Sequence, residues 1–382
     1  MNKTLLFVVN VDWFFLSHRL PIALAAIEQG YRVHIATGLT GRRAELEHYG
    51  MTVHPLRLDR SSIGVGNALS ALRQLFDVYQ RVRPDLVHLV TIKPVLLGGL
   101  MARLCGVPAV VAAVSGLGFV FVASGFKAAL RRWLVGGLYR LALGHRNLKV
   151  IFQNPDDRAS LAGIADLADS RVAFIRGSGV DLVRFSVRPQ PQGVPLVVLA
   201  ARLLGDKGVR EFAQAARLLR QPGNSPRCGV VRFVLVGGPD PANPSSLSEA
   251  ELAAWVQEGV LERWGQRADM PQVFAAAQLV VLPSYREGFP KVLIEAAACG
   301  RAVVTTDVPG CRDAIEADVT GLLVPAYDAR ALADAIKRLL DDPQRCQAMG
   351  QAGRALAERV FDVRQVVAAH LHIYQELIAV AK

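Results

Sequence analysis

The chain has 382 residues, of which 52% are apolar. This length is sufficient for two domains that each bury a core, and the apolar fraction excludes a disordered protein. The formal net charge of +11 is unevenly placed: residues 1–185 contain 22 Lys and Arg against 12 Asp and Glu, whereas residues 186–382 contain 22 against 21. A basic first half predicts an anionic partner for that half, either a nucleic acid or an anionic membrane surface.

The cysteines argue against a disulfide framework or a zinc site, because they are five in number, scattered, and without a C-x-x-C pair. A reducing compartment is therefore favoured. There is also no D-x-D triplet, so no bridging metal ion is predicted. The first residues are apolar for only a short run before Asn10 and Asp12 interrupt it. We interpret that run as a first strand and not as a signal peptide.

In chain order, the first half alternates short apolar runs with helical patterns. Such alternation predicts right-handed βαβ units and a parallel sheet. The predicted strands are Leu5–Val9, Arg32–Ala36, Thr52–Pro55, Leu86–Val90, Ala109–Val114, Lys149–Phe152 and Val172–Ile175, and the helices between them include Leu20–Gln29, Val65–Arg81 and Lys127–Leu143.

A Pro- and Gln-rich stretch, Arg188–Pro195, has the composition of a linker. A second alternating series follows it, with strands predicted at Leu196–Ala200, Val231–Val236, Leu279–Leu282 and Ala302–Thr305 and helices after Asp206 and at Pro290. The whole pattern predicts two Rossmann-like, doubly wound α/β domains that face each other across a cleft. We place them at residues 1–185 and 186–362, with residues 363–382 forming a helix that packs back on the first domain.

One uncharged stretch, Val107–Phe126, has the length of a membrane span. It contains Pro108 and three glycines, however, and it resolves into a β-branched strand and a Gly-rich loop. We therefore do not predict a transmembrane helix here.

The next segment is basic and contains no carboxylate. Its apolar residues Leu130, Trp133, Leu134, Leu138 and Leu141 recur at helical spacing. Two interpretations stay open: a surface helix whose apolar stripe faces the core, or an interfacial helix that lies on anionic lipid. Nucleic acid is not predicted, because no binding motif or aromatic-lined basic groove occurs. The membrane-interface candidates are Lys127, Arg131, Arg132, Trp133 and Arg140.

Two segments of the second half carry chemistry. Arg202 and Lys207 follow a strand and open a helix, where a planar guanidinium fork and a point charge would suit a diphosphate. Glu287 follows a later strand, Pro290 is expected at the first position of a helix, and Glu295 falls in its second turn. A helix start attracts anions, while carboxylates accept hydrogen bonds from hydroxyls. Together these features predict a sugar-nucleotide site.

This joint pattern resembles the family 4 retaining glycosyltransferases of GT-B fold, over nearly the whole chain. Arg202 and Lys207 are similar to the diphosphate pair of that family, and Glu287-x7-Glu295 resembles its E-x7-E motif. Ile175–Asp181 with Phe185 resembles its hinge segment, and Trp264-Gly265 its base-binding loop. The resemblance implies a UDP-sugar donor on the second domain, an acceptor on the first, and no metal or other cofactor. It assigns catalysis to Arg202, Lys207 and Glu287, and donor binding to Glu295, Gly288, Phe289, Pro290, Lys291 and Gly265.

The first half resembles a bacterial branch that extends undecaprenyl-diphosphate-linked sugars for O-antigen, capsule or N-glycan precursors, often with N-acetylhexosamines. The resemblance lies in Phe14–Ala25, Thr91–Pro94 and Val114–Phe119. Two departures occur: the loop after the first strand lacks glycines, and Ser115-Gly116 stands where many members have a histidine. For His18 a structural role stays open, and for Ser17 a role as helix N-cap. The acceptor-side candidates are Ser17, His18, Arg19, Lys93, Ser115 and Gly116.

The resemblance therefore implies a retaining transfer of an N-acetylhexosamine such as GalNAc from a UDP-sugar to an undecaprenyl-diphosphate-linked saccharide. It places the enzyme in the cytoplasm, peripherally on the inner face of the plasma membrane. No residue excludes GDP as the nucleotide. The alternatives are a sugar-nucleotide 2-epimerase of the same two-domain plan, and a non-catalytic basic adaptor, which would leave Arg202, Lys207 and the two glutamates unexplained.

Overall fold

The computed structural model describes residues 3–57, 65–114, 116, 126–165, 167–241 and 243–381. The chain forms two compact units, one of Met1–Ser178 with Arg364–Lys382 and the other of Gly179–Val363. The boundary lies after Ser178 and not after Phe185, where the sequence analysis placed it. The reason is that the side chains of Val180 and Phe185 are buried in the core of the second unit.

The first unit contains a seven-stranded parallel sheet of order β3-β2-β1-β4-β5-β6-β7. Apolar side chains of successive β1 residues enter two cores, one on each face, which is why its strands are continuous apolar runs. The strands are β1 Thr4–Val11, β2 Arg32–Gly38, β3 Thr52–Pro55, β4 Leu86–Val90, β5 Ala109–Val114, β6 Leu148–Phe152 and β7 Val172–Phe174. The helices are α1 Asp12–His18, α2 Leu20–Glu28, α3 Arg43–His48, α4 Val65–Val82, α5 Gly99–Leu104, α6 Phe126–Leu143 and α7 Pro155–Ala162.

The second unit contains a six-stranded parallel sheet of order β10-β9-β8-β11-β12-β13. Its strands are β8 Leu196–Ala200, β9 Arg232–Val236, β10 Glu262–Gly265, β11 Leu279–Leu282, β12 Ala302–Thr306 and β13 Gly321–Val324. Its helices are α8 Val209–Arg220, α9 Glu249–Gln257, α10 Met270–Ala276, α11 Lys291–Ala298, α12 Ala329–Leu340 and α13 Pro343–Leu356. The predicted α/β class with two parallel sheets is confirmed. The sequence analysis missed β10 and β13, which are the two edge strands.

The last helix, α14 (Val363–Val380), packs on the first sheet. Its residues Leu371, Tyr374 and Leu377 are buried with the β1 residues Leu5 and Phe7. The chain therefore returns to the first unit after completing the second. Across the described ranges, none of the helices has the length and apolarity needed to cross a membrane.

A buried polar cluster joins α14 to the first sheet. The Nδ1 atom of His88 on β4 lies 2.5 Å from the Tyr374 hydroxyl, and the His370 ring stacks beside that of His88 with centroids 5.6 Å apart. Arg19, between α1 and α2, is 2% exposed. Burial lowers the pKa of both histidines, that of His370 to about 3, and the charge of Arg19 lowers both further. Both imidazoles are therefore neutral in the folded protein at neutral pH.

The cluster predicts a loss of stability in acid. Since the folded protein keeps His370 neutral, only the unfolded chain gains this proton as the pH falls below the ordinary histidine pKa of about 6.5. The contribution of His370 to stability is lost progressively from there toward about pH 3. Between about pH 6.5 and pH 5 the free energy of unfolding should fall in both proteins. We expect the fall to be about 1.5–2 kcal/mol smaller in a His370→Leu variant than in the unaltered protein. Urea unfolding at each pH measures this. A His48→Leu variant, at an exposed position of α3, is the control; equal pH dependence in His370→Leu would contradict the prediction.

Candidate functional site

The candidate site lies at the carboxyl edge of the second sheet. Strand β8 pairs with β9 on one side and with β11 on the other. The loops that follow β8 and β11 therefore leave the sheet side by side. Ligands of doubly wound α/β folds bind outside the carboxyl ends of the strands at such a reversal of strand order. Arg202 and Lys207 follow β8 and Glu287 follows β11, so the strand order brings the predicted residues to this point.

Lys207 and Glu287 are in direct contact. The Nζ atom of Lys207 donates to Oε1 of Glu287, and the same oxygen accepts from Oγ of Ser284 at 2.8 Å. The side chains of Lys207 and Glu287 are only 18% and 13% exposed. The backbone N–H of Tyr285 also donates to the carbonyl of Asp206 at 2.9 Å. The pair is thus held in place from both loops.

The two loops approach so closely that one position requires glycine. Gly208 follows the 3₁₀ turn Gly205–Lys207, has a φ of +68°, and precedes α8. A Cβ atom there would lie 2.1 Å from the carbonyl oxygen of Pro283. On the other side of the β11 loop, a Cβ atom at Gly310 would lie 2.6 Å from the carbonyl oxygen of Glu287. The backbone that carries Lys207 and Glu287 is therefore close-packed.

Arg202 is paired with a residue that the sequence analysis did not name. Its Nη1 atom lies 2.7 Å from Oδ2 of Asp240, which follows β9. The Arg202 side chain is 42% exposed and that of Asp240 is 21% exposed. Both predicted cations of the site therefore have a carboxylate partner, and Arg202 keeps a face open to solvent.

Glu295 lies in α11, which runs Lys291–Ala298 and begins directly after Pro290. Pro290 is the N-cap and has extended backbone angles, φ −76° and ψ 114°. Glu295 is 9% exposed. Burial raises the pKa of Glu295, and Lys291 counteracts this because its Nζ atom lies 3.2 Å from Oε1. A buried carboxylate beside an ammonium is a strong acceptor for hydroxyl groups when ionised.

Three other donor-side candidates, Phe289, Gly265 and Gly288, offer a ligand mainly their backbone groups. The Phe289 side chain is buried in the core, with its ring 5.6 Å from that of Phe361. Since this side chain belongs to the core, a contact of Phe289 with the donor would come from its backbone. Gly265 ends β10 with a φ of +66°, and its carbonyl accepts from the N–H of Gly237 at 2.8 Å. Gly288 is half-buried beside Glu287.

The acceptor-side candidates of the first unit lie at different depths. Lys93 follows β4 and Gly116 follows β5, which are neighbouring strands, so both are at the carboxyl edge of the first sheet. Ser115 lies outside the described residues. Arg19 is buried, and burial lowers its pKa to about 10. Its charge interacts with the Tyr374 side chain of α14, and its contact with an acceptor stays a prediction.

Ser17 and His18 lie at the end of α1, where the sequence analysis placed a loop. The Oγ atom of Ser17 donates to the carbonyl of Phe14 at 3.1 Å and lies 2.5 Å from Nδ1 of His18. The His18 ring stacks on that of Phe14, with centroids 4.1 Å apart. Ser17 is therefore not the N-cap of α2, which has no side-chain cap. It is exposed and His18 is half-buried, so both remain accessible.

Helix α6 presents part of its apolar stripe to solvent. Leu138 and Leu141 are 38% and 52% exposed, whereas Tyr139 and Leu143 are buried. The two described stripe residues therefore do not face the core, whereas Val135, Tyr139 and Leu143 of the same helix pack into it. The side chains of Lys127, Arg131, Arg132 and Trp133 lie outside the described residues. Arg140 is exposed and donates from Nε to the carbonyl of Ile164 at 2.6 Å.

Asp240 and Ser284 are the side chains at this site that the sequence analysis missed. Asp240 follows a Gly-Gly-Pro turn directly after β9, and Ser284 comes two residues after β11. The signal that could have found them was the first polar side chain after each strand. In a parallel sheet all those positions meet at one edge.

Comparison with known proteins agrees with this geometry. A family profile described as "Glycosyl transferase 4-like" matches residues 4–154, and one described as "Glycosyl transferases group 1" matches residues 194–342. A relative from Campylobacter jejuni is the N,N'-diacetylbacillosaminyl-diphospho-undecaprenol alpha-1,3-N-acetylgalactosaminyltransferase. It is 30% identical to this chain over 349 residues, which cover 86% of this chain and 89% of the relative.

Solved structures of the same fold cover nearly the whole chain. Sucrose-phosphate synthase from Thermosynechococcus elongatus superposes with a TM-score of 0.80 at 22% identity, covering 99% of this chain and 100% of that one. HepE of Anabaena in complex with UDP gives a TM-score of 0.75 at 19% identity, covering 98% of this chain and 100% of that one. Fold, site and sequence relatives thus agree, and the chain belongs to the group 1, family 4 glycosyltransferases of GT-B fold.

Proposed function

We propose that this glycosyltransferase moves an N-acetylhexosamine such as GalNAc from a UDP-sugar to an undecaprenyl-diphosphate-linked saccharide, with retention of configuration. The observation that carries the proposal is the convergence of Arg202, Lys207 and Glu287 at the strand reversal of the second sheet. The name of the Campylobacter jejuni relative specifies an undecaprenol-diphosphate-linked substrate, which supports this acceptor class. The UDP bound in the Anabaena structure supports the choice of nucleotide.

In this mechanism the cations act on the leaving group. Negative charge gathers on the nucleoside diphosphate as the bond from the anomeric carbon to oxygen breaks. Arg202 and Lys207 would stabilise that charge more in the transition state than in the ground state, which is the condition for catalysis. The Arg202 side chain is 42% exposed, and α11 begins in the segment that follows β11. These charges would make a metal ion unnecessary.

The carboxylates would hold the donor by its hydroxyls. Glu287 would accept from the sugar and Glu295 from the ribose. The acceptor, bound by the first unit, would attack from the leaving-group face, and a phosphate oxygen of the departing diphosphate would take its proton. Glu287 already accepts from Lys207 and Ser284, which favours a binding role for it over that of a free nucleophile.

A transfer screen tests this function. Radiolabelled UDP-GalNAc, UDP-GlcNAc, UDP-glucose and a GDP-sugar are each incubated with undecaprenyl-diphosphate-linked saccharides and with no acceptor. We expect label to move to lipid only when an acceptor is present, and an α-linked product. An altered sugar nucleotide in the incubation without acceptor would support the 2-epimerase instead. No observation on this chain favours that activity. Transfer to no lipid-linked acceptor would contradict the proposed acceptor class.

We propose in addition that α6 rests on the anionic inner surface of the plasma membrane, which would bring a lipid-linked acceptor to the enzyme. Leu138 and Leu141 of α6 and Leu104 of α5 are solvent-exposed. Arg103 joins the two helices, since its Nη1 atom donates to the carbonyl of Leu141 at 2.6 Å. Exposed leucines among arginines, in a stretch without carboxylates between Asp85 and Asp156, complement an anionic lipid surface.

The membrane proposal makes a testable prediction. Each half-exposed leucine that enters lipid should contribute roughly 1 kcal/mol, so the double variant Leu138→Gln, Leu141→Gln is expected to bind phosphatidylglycerol-containing vesicles about thirtyfold more weakly. Vesicle co-sedimentation measures the change. The matched control is Val256→Gln with Val319→Gln, two exposed apolar positions of the second unit. An equal loss of vesicle binding in both double variants, or no loss of binding in either, would contradict the placement of the membrane surface on α6.

A further inference from the structure

The loop that follows β9 is built against the loop that carries the two cations. We call residues 238–247 the β9 loop, of which Ala242 lies outside the described residues. Three backbone hydrogen bonds join it to the segment around Leu203 and Gly205. The Leu203 N–H donates to the Gly238 carbonyl at 2.9 Å, that of Gly205 to the Ser245 carbonyl at 2.7 Å, and that of Leu247 to the Leu203 carbonyl at 3.0 Å. The β9 loop is therefore hydrogen-bonded to the turn before Lys207 at three backbone positions.

Side chains of the β9 loop reinforce this contact. The Oγ atom of Ser245 donates to Oδ1 of Asp206 at 2.7 Å and accepts from the Asp206 N–H at 3.2 Å. A reciprocal pair of this kind fixes both the side chain and the backbone of Asp206. Because Lys207 is the next residue, the orientation of its backbone is set from the β9 loop. Gly205 is packed against the same serine, since a Cβ atom there would lie 3.3 Å from its Oγ.

Asp240 belongs to the same arrangement. Its carboxylate lies 2.7 Å from Nη1 of Arg202, and its own backbone is held at both ends. The Asp240 N–H donates to Oγ of Ser246 at 3.0 Å, and its carbonyl accepts from the Asn243 N–H at 2.8 Å. The carboxylate is thus anchored by its loop, while the Arg202 side chain is the more exposed partner. A planar guanidinium has five N–H donors and can serve a fixed carboxylate and a second anion together.

We propose that Asp240 is a positioning residue that orients the Arg202 guanidinium toward the diphosphate of the donor. Ser245 of the same loop fixes the turn that precedes Lys207. This inference rests on the proposed function, in which Arg202 binds the leaving diphosphate. It differs from a blocking role, in which the Asp240 carboxylate competes with the donor for Arg202. The two roles predict opposite signs: removal of a positioning carboxylate weakens diphosphate binding, whereas removal of a competing one strengthens it.

The test compares UDP with uridine, which lacks the phosphates. Calorimetric binding of both ligands and kcat/KM for the best donor are measured on the full chain for Asp240→Ala and Asp240→Asn. We expect Asp240→Ala to weaken UDP binding about tenfold without changing uridine binding, and to lower kcat/KM about 10–100-fold, because a small misplacement of a charge-stabilising group is costly. Asp240→Asn keeps an acceptor oxygen and should recover most of the loss. In an Arg202→Ala background, Asp240→Ala should have no further effect.

The control is Glu258→Ala, which breaks the exposed Arg217–Glu258 pair that links α8 to the end of α9; it should leave the binding of both ligands and kcat/KM unchanged. Tighter UDP binding by Asp240→Ala, or UDP binding equal to that of the unaltered protein, would overturn the positioning role alone. Equal weakening of UDP and uridine would also overturn it, by indicating a general disturbance of the site. Unaltered protein that binds no nucleoside diphosphate at all would overturn the proposed function and this inference with it.

Discussion

An Arg202→Ala variant is expected to turn over about 10²–10³-fold more slowly than the unaltered enzyme, as for the loss of one preorganised donor to a developing negative charge. The alanine would remove the more exposed of the two cations at the site and leave Asp240 without its partner. The remaining cation, Lys207, is already in contact with Glu287. The neutralisation of a leaving diphosphate would therefore fall to an ammonium that is shared with a carboxylate.

The measurement is kcat at saturating donor and acceptor, with the unfolding temperature recorded for each variant. Arg202→Lys is expected to be intermediate, because it keeps the charge but not the planar fork. Arg232→Ala is the matched control, since this arginine is similarly exposed and paired, but lies at the amino end of β9. Near-normal turnover of Arg202→Ala would rule out its assignment to the leaving group.

A Gly208→Ala variant is expected to destabilise the second unit by about 2–5 kcal/mol. A non-glycine residue in the left-handed region costs about 1–2 kcal/mol, and the new Cβ atom would also overlap the Pro283 carbonyl oxygen, which lies 2.1 Å away. That oxygen is backbone, so relief requires the β8 and β11 loops to separate, at a cost of about 1–3 kcal/mol for overpacking. Separation of these loops would also pull Lys207 away from Glu287, and donor binding should weaken.

Equilibrium urea unfolding of the variant measures the first effect, and UDP binding the second. Gly223→Ala is the control, because Gly223 also has a positive φ, +84°, but no atom lies within 4 Å of its added Cβ. It should cost only about 1–2 kcal/mol and leave UDP binding intact. If both substitutions cost the same, the close approach of the two loops does not contribute to stability.

Strands were predicted correctly where a continuous apolar run indicates that both faces of the strand are buried. Strand β5, for instance, runs Ala109–Val114 in the prediction and in the structure. Both missed strands occupy sheet edges. An edge strand has one neighbour and can be less apolar, which accounts for β10 but not for β13, whose Gly-Leu-Leu-Val run is apolar and mostly buried. Strand β10 is Glu-Arg-Trp-Gly, with every residue half-buried. Helix α1 was missed because its aromatic run lacks a helical polar pattern. Its buried residues are Phe15, which packs against Phe7, and Asp12, whose carboxylate accepts from Thr40.

The sequence by itself determined the fold class and the principal residues of the candidate site. Strand and helix periods are local properties, and Arg202, Lys207, Glu287 and Glu295 stand at fixed offsets from strand ends and a helix start, so a linear pattern was enough to find them. Family resemblance then supplied their roles as hypotheses.

Only the tertiary structure decided which of these groups meet. Lys207 contacts a residue 80 positions away and Arg202 one 38 positions away, because the order of strands, which no local period encodes, sets which loops are neighbours. The same holds for Arg19, which is buried and interacts with Tyr374 of α14. It also holds for Leu138 and Leu141, whose exposure depends on what packs against α6. Pairing and burial are properties of segments brought together from distant parts of the chain, and that is why the sequence alone could name the site but not Asp240.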